Sequence, residues 1–305
     1  MEMLINVLNA TLRLSTPLVL AALGGVLSQQ VNQINIALEG LMLFGAFTAV
    51  IATYLTGSVW VGALAAVVIS SIIAAVFAFF VLQYKANLIV AGLAVNILAL
   101  GGTTYLLQIL FHTRGSFSPK NLPGFPVVHI PLLEQIPLIG PVVSGQGVLV
   151  YVAWILAVLV HLFVYRTVPG LHFRAVGERR EAAKSVGISA VGVEYAALIA
   201  SGAFSGLAGA QLSLGNVQLF TENMTQGRGF MALAAVYFGQ AQPIATSLSC
   251  LLFGFFDALQ IRLQTTLGIP PQWPQMLPFV IIVLALTVIA LRQKMRIGAK
   301  GRSDA

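Results

Sequence analysis

The sequence predicts an all-α fold: a polytopic transmembrane helical bundle with about nine crossings, one of them a short or re-entrant helix, and residues 1–305 forming a single transmembrane domain. Three observations carry this. Of the 305 residues, 58% are hydrophobic and 8% charged, whereas about a quarter of the residues in a soluble domain are charged. The apolar residues fall into runs close to the roughly 20 needed to cross a bilayer as a helix. Eleven of the 16 Lys and Arg also gather on segments that one topology places on one side of the membrane. They are Lys85 in a short turn, Arg166, Arg174, Arg179, Arg180 and Lys184 in a central loop, and Arg292, Lys294, Arg296, Lys300 and Arg302 in the tail. The formal net charge of +7 is therefore read as membrane orientation, with those segments in the cytoplasm, and not as a sign of nucleic-acid binding. The stretches between the runs are too short for a soluble domain, so any domain that captures ligand or converts energy is expected on another polypeptide. Cys250, the single cysteine, lies in an apolar run and has no partner for a disulfide within the chain.

In order along the chain, residues 1–14 place Leu4, Ile5, Leu8 and Leu12 at helical spacing and read as an interfacial lead-in. Residues 17–27 follow no basic region and precede no small-residue cleavage site, and read as a retained helix. The second helix, 34–55, carries Asn35 and Glu39, whose spacing of four puts them on one face. A third runs over 59–82, a turn over 84–87, and a fourth over 88–111 with Gly92 and Asn96 on one side. Six prolines between 112 and 147 forbid a continuous helix, so this is an extracytoplasmic loop. The fifth helix, 148–165, leads into the charged loop 166–192. The sixth, 193–214, bears two small-residue ridges, Ser201, Ser205, Gly209 and Gly202, Gly206, Ala210, which suit close helix packing. The nine apolar residues 230–238 cannot span as a helix and read as a half-helix or re-entrant piece. Helices over 243–260 and 277–291 complete nine crossings, which put the N-terminus outside and the C-terminus in the cytoplasm.

No catalytic engine is legible. A Walker A loop needs Gly-Lys-Ser/Thr at a fixed spacing from an earlier Gly. The nearest imitation, Gly177 through Ser185, has Ala182 at the second glycine and its lysine one place late. His112, His129, His161 and His172 lack metal-ligand spacing, so no metal site is expected. What remains is polar and aromatic residues inside apolar runs. Glu39 is the sharpest, because an intramembrane carboxylate persists only if paired, protonated or near water; Asn35 is one turn away. Asn96, Phe44, Phe220 and Phe230 complete a candidate substrate path: amides meet hydroxyls and rings stack on a planar ligand. Each has a structural alternative, a polar network for Asn35, Glu39 and Asn96 and plain packing for the rings. Asp257 is expected to pair with Arg262 or Arg228. In the charged loop, a helix over 178–186 with Gly177 as cap and Gly187 as stop is expected, with Ala182 and Ala183 leaving one face bare. It is either a docking element or a solvated connection.

Three stretches resemble a known family. Arg174-Ala175-Val176-Gly177-Glu178, with Glu181-Ala182-Ala183 and Gly187-Ile188, resembles the cytoplasmic coupling loop of bacterial ABC importer permeases serving branched-chain amino acids, ribose-type sugars and nucleosides. Asn35-Ile36-Ala37-Leu38-Glu39-Gly40, then Leu41 and Met42, is similar to the Asn-Ile-Gly-x-Glu-Gly-x-Met signature of nucleoside permeases of the basic-membrane-protein type, with Ala37 in place of the usual Gly. Gly227-x-Gly229-Phe230 is similar to that family's Gly-x-Gly-Phe segment. The resemblance implies a non-enzymatic permease subunit of an ATP-driven importer in the inner membrane, for purine nucleosides or alternatively ribose-type sugars. It implies that Gly177, Glu178, Arg179, Arg180, Glu181, Ala182, Ala183 and Gly187 couple to a separate ATPase subunit, which holds the ATP and Mg, with no cofactor in this chain. It further implies a second homologous permease chain, as heterodimer or homodimer, and an extracytoplasmic substrate-binding protein. The reading from another class is a proton-coupled secondary transporter using Glu39 or Asp257, which has no need of the charged loop.

Overall fold

The computed structural model describes residues 2–131 and 140–267, and beyond them only positions 276, 280 and 287. The fold is an all-α polytopic bundle. Seven helices among the described residues are long and apolar enough to cross a membrane, and an eighth apolar helix is shorter. The expected final span, 277–291, and the basic tail lie outside the described residues.

The first helix, α1 (Glu2–Gln30), is continuous through Pro17, where the sequence divides it into an interfacial lead-in and a separate span. Proline supplies no N–H to the carbonyl four residues back, here that of Arg13, and the helix nevertheless runs on to Gln30. The Ser15 and Thr16 hydroxyls both donate to the Leu12 carbonyl, at 3.1 and 2.7 Å. Residues 15–28 are all buried. Over these residues α1 is central to the bundle, covered by the later helices.

The second helix, α2 (Leu38–Thr56), begins four residues later than expected. The Asn35 side chain explains the delay: its Oδ1 accepts from Ala37 N (3.0 Å) and its Nδ2 donates to Ser201 Oγ (2.8 Å). A short amide that binds nearby backbone offers the chain an alternative to helix. The expected Asn35–Glu39 pairing along one helix face is therefore absent, because Asn35 precedes the helix. Gly57, at φ +69°, ends α2. α3 (Val59–Leu82) and α4 (Leu88–Phe111) match their expected bounds. Asn87 caps α4 by accepting from Ile89 N and Val90 N.

Among its described residues, the loop after α4 holds short strands and a helical turn, Gly140–Val143. β1 (Ser116–Phe117) pairs antiparallel with β4 (Phe220–Thr221), Ser116 opposite Thr221, and β2 (Val127–Val128) pairs with β3 (Gln146–Gly147). α5 (Val148–Arg166) returns the chain to the charged loop, which contains α6 (Val168–Glu178) and α7 (Arg180–Ser185). α8 (Ala190–Ala210) runs on as a π-helical stretch, Gln211–Val217. After β4 come α9 (Arg228–Phe238) and α10 (Pro243–Leu267).

The ridges on α8 pack as their spacing predicts. A Cβ on Gly206 would lie 2.9 Å from Ser70 Cβ of α3, one on Gly45 of α2 would lie 2.6 Å from Gly206 Cα, and one on Gly24 of α1 would lie 2.8 Å from the Ser201 carbonyl oxygen. In a bilayer, where lipid tails are as apolar as leucine, such backbone approach is a main source of helix association. Three helices thus lock onto α8.

Candidate functional site

Two regions gather the expected functional residues. The first is the start of α9. This helix has 11 residues, about 16 Å at 1.5 Å per residue. The turn after it is tied to the end of α1, where Gln30 Nε2 donates to the Ala241 carbonyl at 2.8 Å. The start of α9 therefore lies about 16 Å along the helix from that end.

Glu39, buried in the first turn of α2, reaches this point. Its Oε1 accepts from Gly227 N at 2.8 Å and its Oε2 from Gly229 N at 2.6 Å. The first amides of a helix have no partner within it, and negative charge suits that end of the helix dipole. One carboxylate thus caps the half-helix from a separate helix. Gly227 adopts φ +84°, a conformation glycine takes without penalty. A Cβ on Gly229 would lie 2.5 Å from Glu39 Cα, so only glycine permits the approach. Beside it, Arg228 Nη2 faces Asp257 Oδ2 at 3.9 Å, one of the two pairings the sequence anticipates.

Asn96 plays the matching role for α2. Its Oδ1 accepts from Gly40 N at 2.8 Å and its Nδ2 donates to the Ile36 carbonyl at 3.0 Å. Of the six residues expected along a path, Asn35, Glu39 and Asn96 are thus engaged with the protein's own groups. Phe220 is buried edge-on to Phe47, with centroids 5.1 Å apart. Phe44 is half-buried, and its ring would lie 3.9 Å from a Cβ on Gly102. Phe230 is open, 42% exposed.

The second region is the charged loop, which forms two helices where the sequence expects one. Thr167 caps α6, with Gly170 N donating to its hydroxyl at 3.2 Å. Gly177 does not cap a helix. It lies in the last turn of α6, where a side chain would collide with the Gln30 carbonyl at the end of α1. Arg179 then breaks the helix at φ −148°, ψ 90°. Gly187, at φ +85°, stops α7 as expected; its N–H donates to the Lys184 carbonyl at 3.0 Å.

Arg180 clamps α7 to α8. Its Nε and Nη2 donate to Oε1 and Oε2 of Glu194 at 2.7 and 2.9 Å. The Glu194 side chain is 2% exposed and that of Arg180 41%. The paired hydrogen bond raises the guanidinium further above its ordinary range. Glu181 accepts from Lys184 Nζ at 2.9 Å, and this contact holds its carboxyl below the ordinary glutamate value. Ala183 is buried, so of the two alanines only Ala182 faces outward. Glu178, Arg179, Glu181, Ala182, Lys184 and Val186 form the outer surface. Glu194 escapes the sequence reading, although its signal is the one that singles out Glu39, a lone carboxylate in an apolar helix.

Comparison with known proteins follows this geometry. Residues 7–286 match the family model for the permease component of branched-chain amino acid transport systems. A candidate glucose ABC transporter permease of Haloferax volcanii, TsgC13, is 35% identical over 88% of this chain and 81% of its own. The guanosine ABC transporter permease NupQ of Bacillus subtilis is 33% identical over 100% of this chain and 95% of its own. The nucleoside ABC transporter permease NupC of Lactococcus lactis is 33% identical over 89% of each. No solved structure matches the chain at a significant level. A family model that runs from α1 past α10, and relatives a third identical over nearly the whole length, establish that this chain belongs to the permease family of branched-chain amino acid transport systems.

Proposed function

We propose that the chain is the nucleoside-conducting permease subunit of an ATP-driven importer, multi-pass in the cytoplasmic (inner) membrane, with its N-terminus outside and its C-terminus in the cytoplasm. The observation that carries the cargo is the match to the guanosine permease of Bacillus subtilis over the whole of this chain. A simple sugar is the second reading, favoured by the Haloferax volcanii relative. The loop 166–192 is the coupling loop, and residues 112–147 belong to the extracytoplasmic side, where a binding protein delivers substrate.

The ATPase is a separate subunit holding ATP and Mg, and it docks on the outer surface of α7, on Glu178, Arg179, Glu181, Ala182, Lys184 and Val186. Gly177, Arg180, Ala183 and Gly187 shape and anchor that surface. The clamp to Glu194 supports this reading, since it links α7 rigidly to the helix that packs against α1, α2 and α3. The second permease is a homologous but different chain. Two guanosine permeases of Bacillus subtilis both resemble this one, NupQ at 33% and NupP at 24% identity. Against a proton-coupled carrier that uses Glu39 stands the engagement of both its oxygens.

The test is to tag the chain, solubilise native membranes gently, identify what copurifies, and measure uptake of tritiated guanosine and of glucose in vesicles with and without internal ATP. The expected result is recovery of an ATPase, with ATP-dependent guanosine uptake that glucose does not compete. Recovery of the chain alone, with uptake driven by a proton gradient, overturns the importer reading. ATP-dependent glucose uptake without guanosine uptake replaces the cargo.

A further inference from the structure

Building on the nucleoside reading, we infer that the stretch from Asn223 to Phe230 is the recognition ledge for the cargo inside the membrane, and that Glu39 is the positioning residue that holds it in place. The argument starts from depth. Gly227 lies level with the interior of the spanning helices: it donates to Glu39, whose neighbour Gly40 is held by Asn96 inside the span Leu88–Phe111, and α9 carries the chain about 16 Å from there to its tie with the end of α1. At this depth the backbone is irregular. Asn223, Gln226 and Gly227 have φ of +54°, +46° and +84°, and successive tight turns join Met224 N to the Thr221 carbonyl, Gln226 N to the Asn223 carbonyl and Arg228 N to the Thr225 carbonyl. Irregular backbone within the hydrocarbon region survives only under protein or beside water. The side chains of Asn223 and Gln226 are exposed, and so is Phe230. Free carboxamides facing lipid would cost several kcal/mol each, so this surface borders the aqueous path.

The chemistry matches a nucleoside. Phe230 offers a ring on which a flat base stacks, and the two carboxamides offer donors and acceptors to the base edge or the ribose hydroxyls. A strained backbone of this kind needs external fixing. Glu39 supplies it through Gly227 N and Gly229 N, on either side of Arg228 and immediately before Phe230.

Two measurements test the ledge in the assembled transporter in vesicles. In a Cys250→Ala background, which removes this chain's only native thiol, Gln226→Cys and Phe230→Cys are exposed to a charged, membrane-impermeant thiol reagent, with labelling read on this chain. The expected result is labelling that added guanosine slows. Absence of labelling, or labelling indifferent to guanosine while the parent transports it, overturns the ledge. Kinetically, Phe230→Leu should raise KM for guanosine on the order of tenfold, since aromatic stacking on a base is worth ~1–3 kcal/mol, with kcat little changed, and Phe230→Tyr should restore it. Glu39→Gln should raise KM in the same sense while the second permease and the ATPase still copurify. Unchanged KM in Phe230→Leu overturns the ledge, as does loss of the partner permease from that variant, which would make the surface a subunit contact. If the parent transporter fails to take up guanosine at all, the cargo assignment fails, separately from the ledge.

Discussion

Cutting the clamp between Arg180 and Glu194 should free α7 without unfolding the bundle. Two charge-assisted hydrogen bonds of 2.7 and 2.9 Å join a 41% exposed guanidinium to a 2% exposed carboxylate. Breaking a fully buried ion pair by removing one partner costs ~3–5 kcal/mol, and exposed pairs are worth at most about 1 kcal/mol. With one partner open to solvent, Arg180→Ala should cost about 2 kcal/mol. A helix of six residues has almost no stability of its own, so the loss falls on α7. An energy of this size raises the detached population about 30-fold, RT being about 0.6 kcal/mol. Hydrogen exchange of the amides over 180–187 reads that population directly, and the ratio of guanosine uptake to ATP hydrolysis reads its consequence. Arg180→Ala should accelerate exchange over this stretch and lower the ratio while the ATPase still copurifies. Arg180→Ala leaves a buried carboxylate without its partner, so the Arg180→Ala/Glu194→Ala double variant should be less damaged than the Arg180→Ala single. If exchange over 180–187 is unchanged in Arg180→Ala, or if the two single effects simply add, the clamp has no such role.

Other outcomes follow from the same contacts. Asn96→Leu orphans Gly40 N and the Ile36 carbonyl in the bundle interior; at ~1–3 kcal/mol per buried unpaired group, the thermal midpoint of the purified chain should fall by several degrees. Gly229→Ala forces Glu39 and the start of α9 apart, an overpacking of ~1–3 kcal/mol, visible as a lower midpoint and as faster exchange at Arg228 and Phe230. Glu181 has a lowered pKa through Lys184, so whatever stability its pairing gives is present above the ordinary glutamate value and lost as pH falls through the lowered one. Moving from pH 7.5 to about 6 should therefore leave the protection of the α7 amides unaltered, once each rate is divided by the intrinsic, base-catalysed rate at that pH. Lost protection in that window would assign control to another group.

The parts of the fold legible in the sequence are those whose signals are local. The turn at residues 84–87, with Asn87 as cap, delimits α3 and α4 to the residue, and the alternating small residues of α8 announce its packing. The failures come from partners distant in sequence. Nothing near Pro17 says that α1 continues, because burial by α8, α9 and α10 decides it. Glu39 reads as a candidate for chemistry because its cost in a membrane is local, whereas the amides that satisfy it lie 188 and 190 residues away. Asn96 likewise serves a backbone 56 and 60 residues distant. The charged loop reads as one helix because Gly177 looks like a cap that starts it and Gly187 like the stop. The break at Arg179 follows from where Gly177 meets α1 and where Arg180 meets Glu194.

The central position of α1 bears on how the protein is made. Among the described residues, the helix most deeply enclosed precedes α8, α9 and α10, which enclose it, by most of the chain. For much of biosynthesis α1 has lipid, or the insertion machinery, where its partners will later be. Its hydroxyls are prepared for that interval: Thr11 donates to the Val7 carbonyl, Ser15 and Thr16 to that of Leu12 and Ser28 to that of Gly25. A helix whose hydroxyls bind its own backbone reaches the bilayer with those groups already satisfied, whereas its amides Asn9 and Gln30 meet their partners only when residues 141 and 241 arrive.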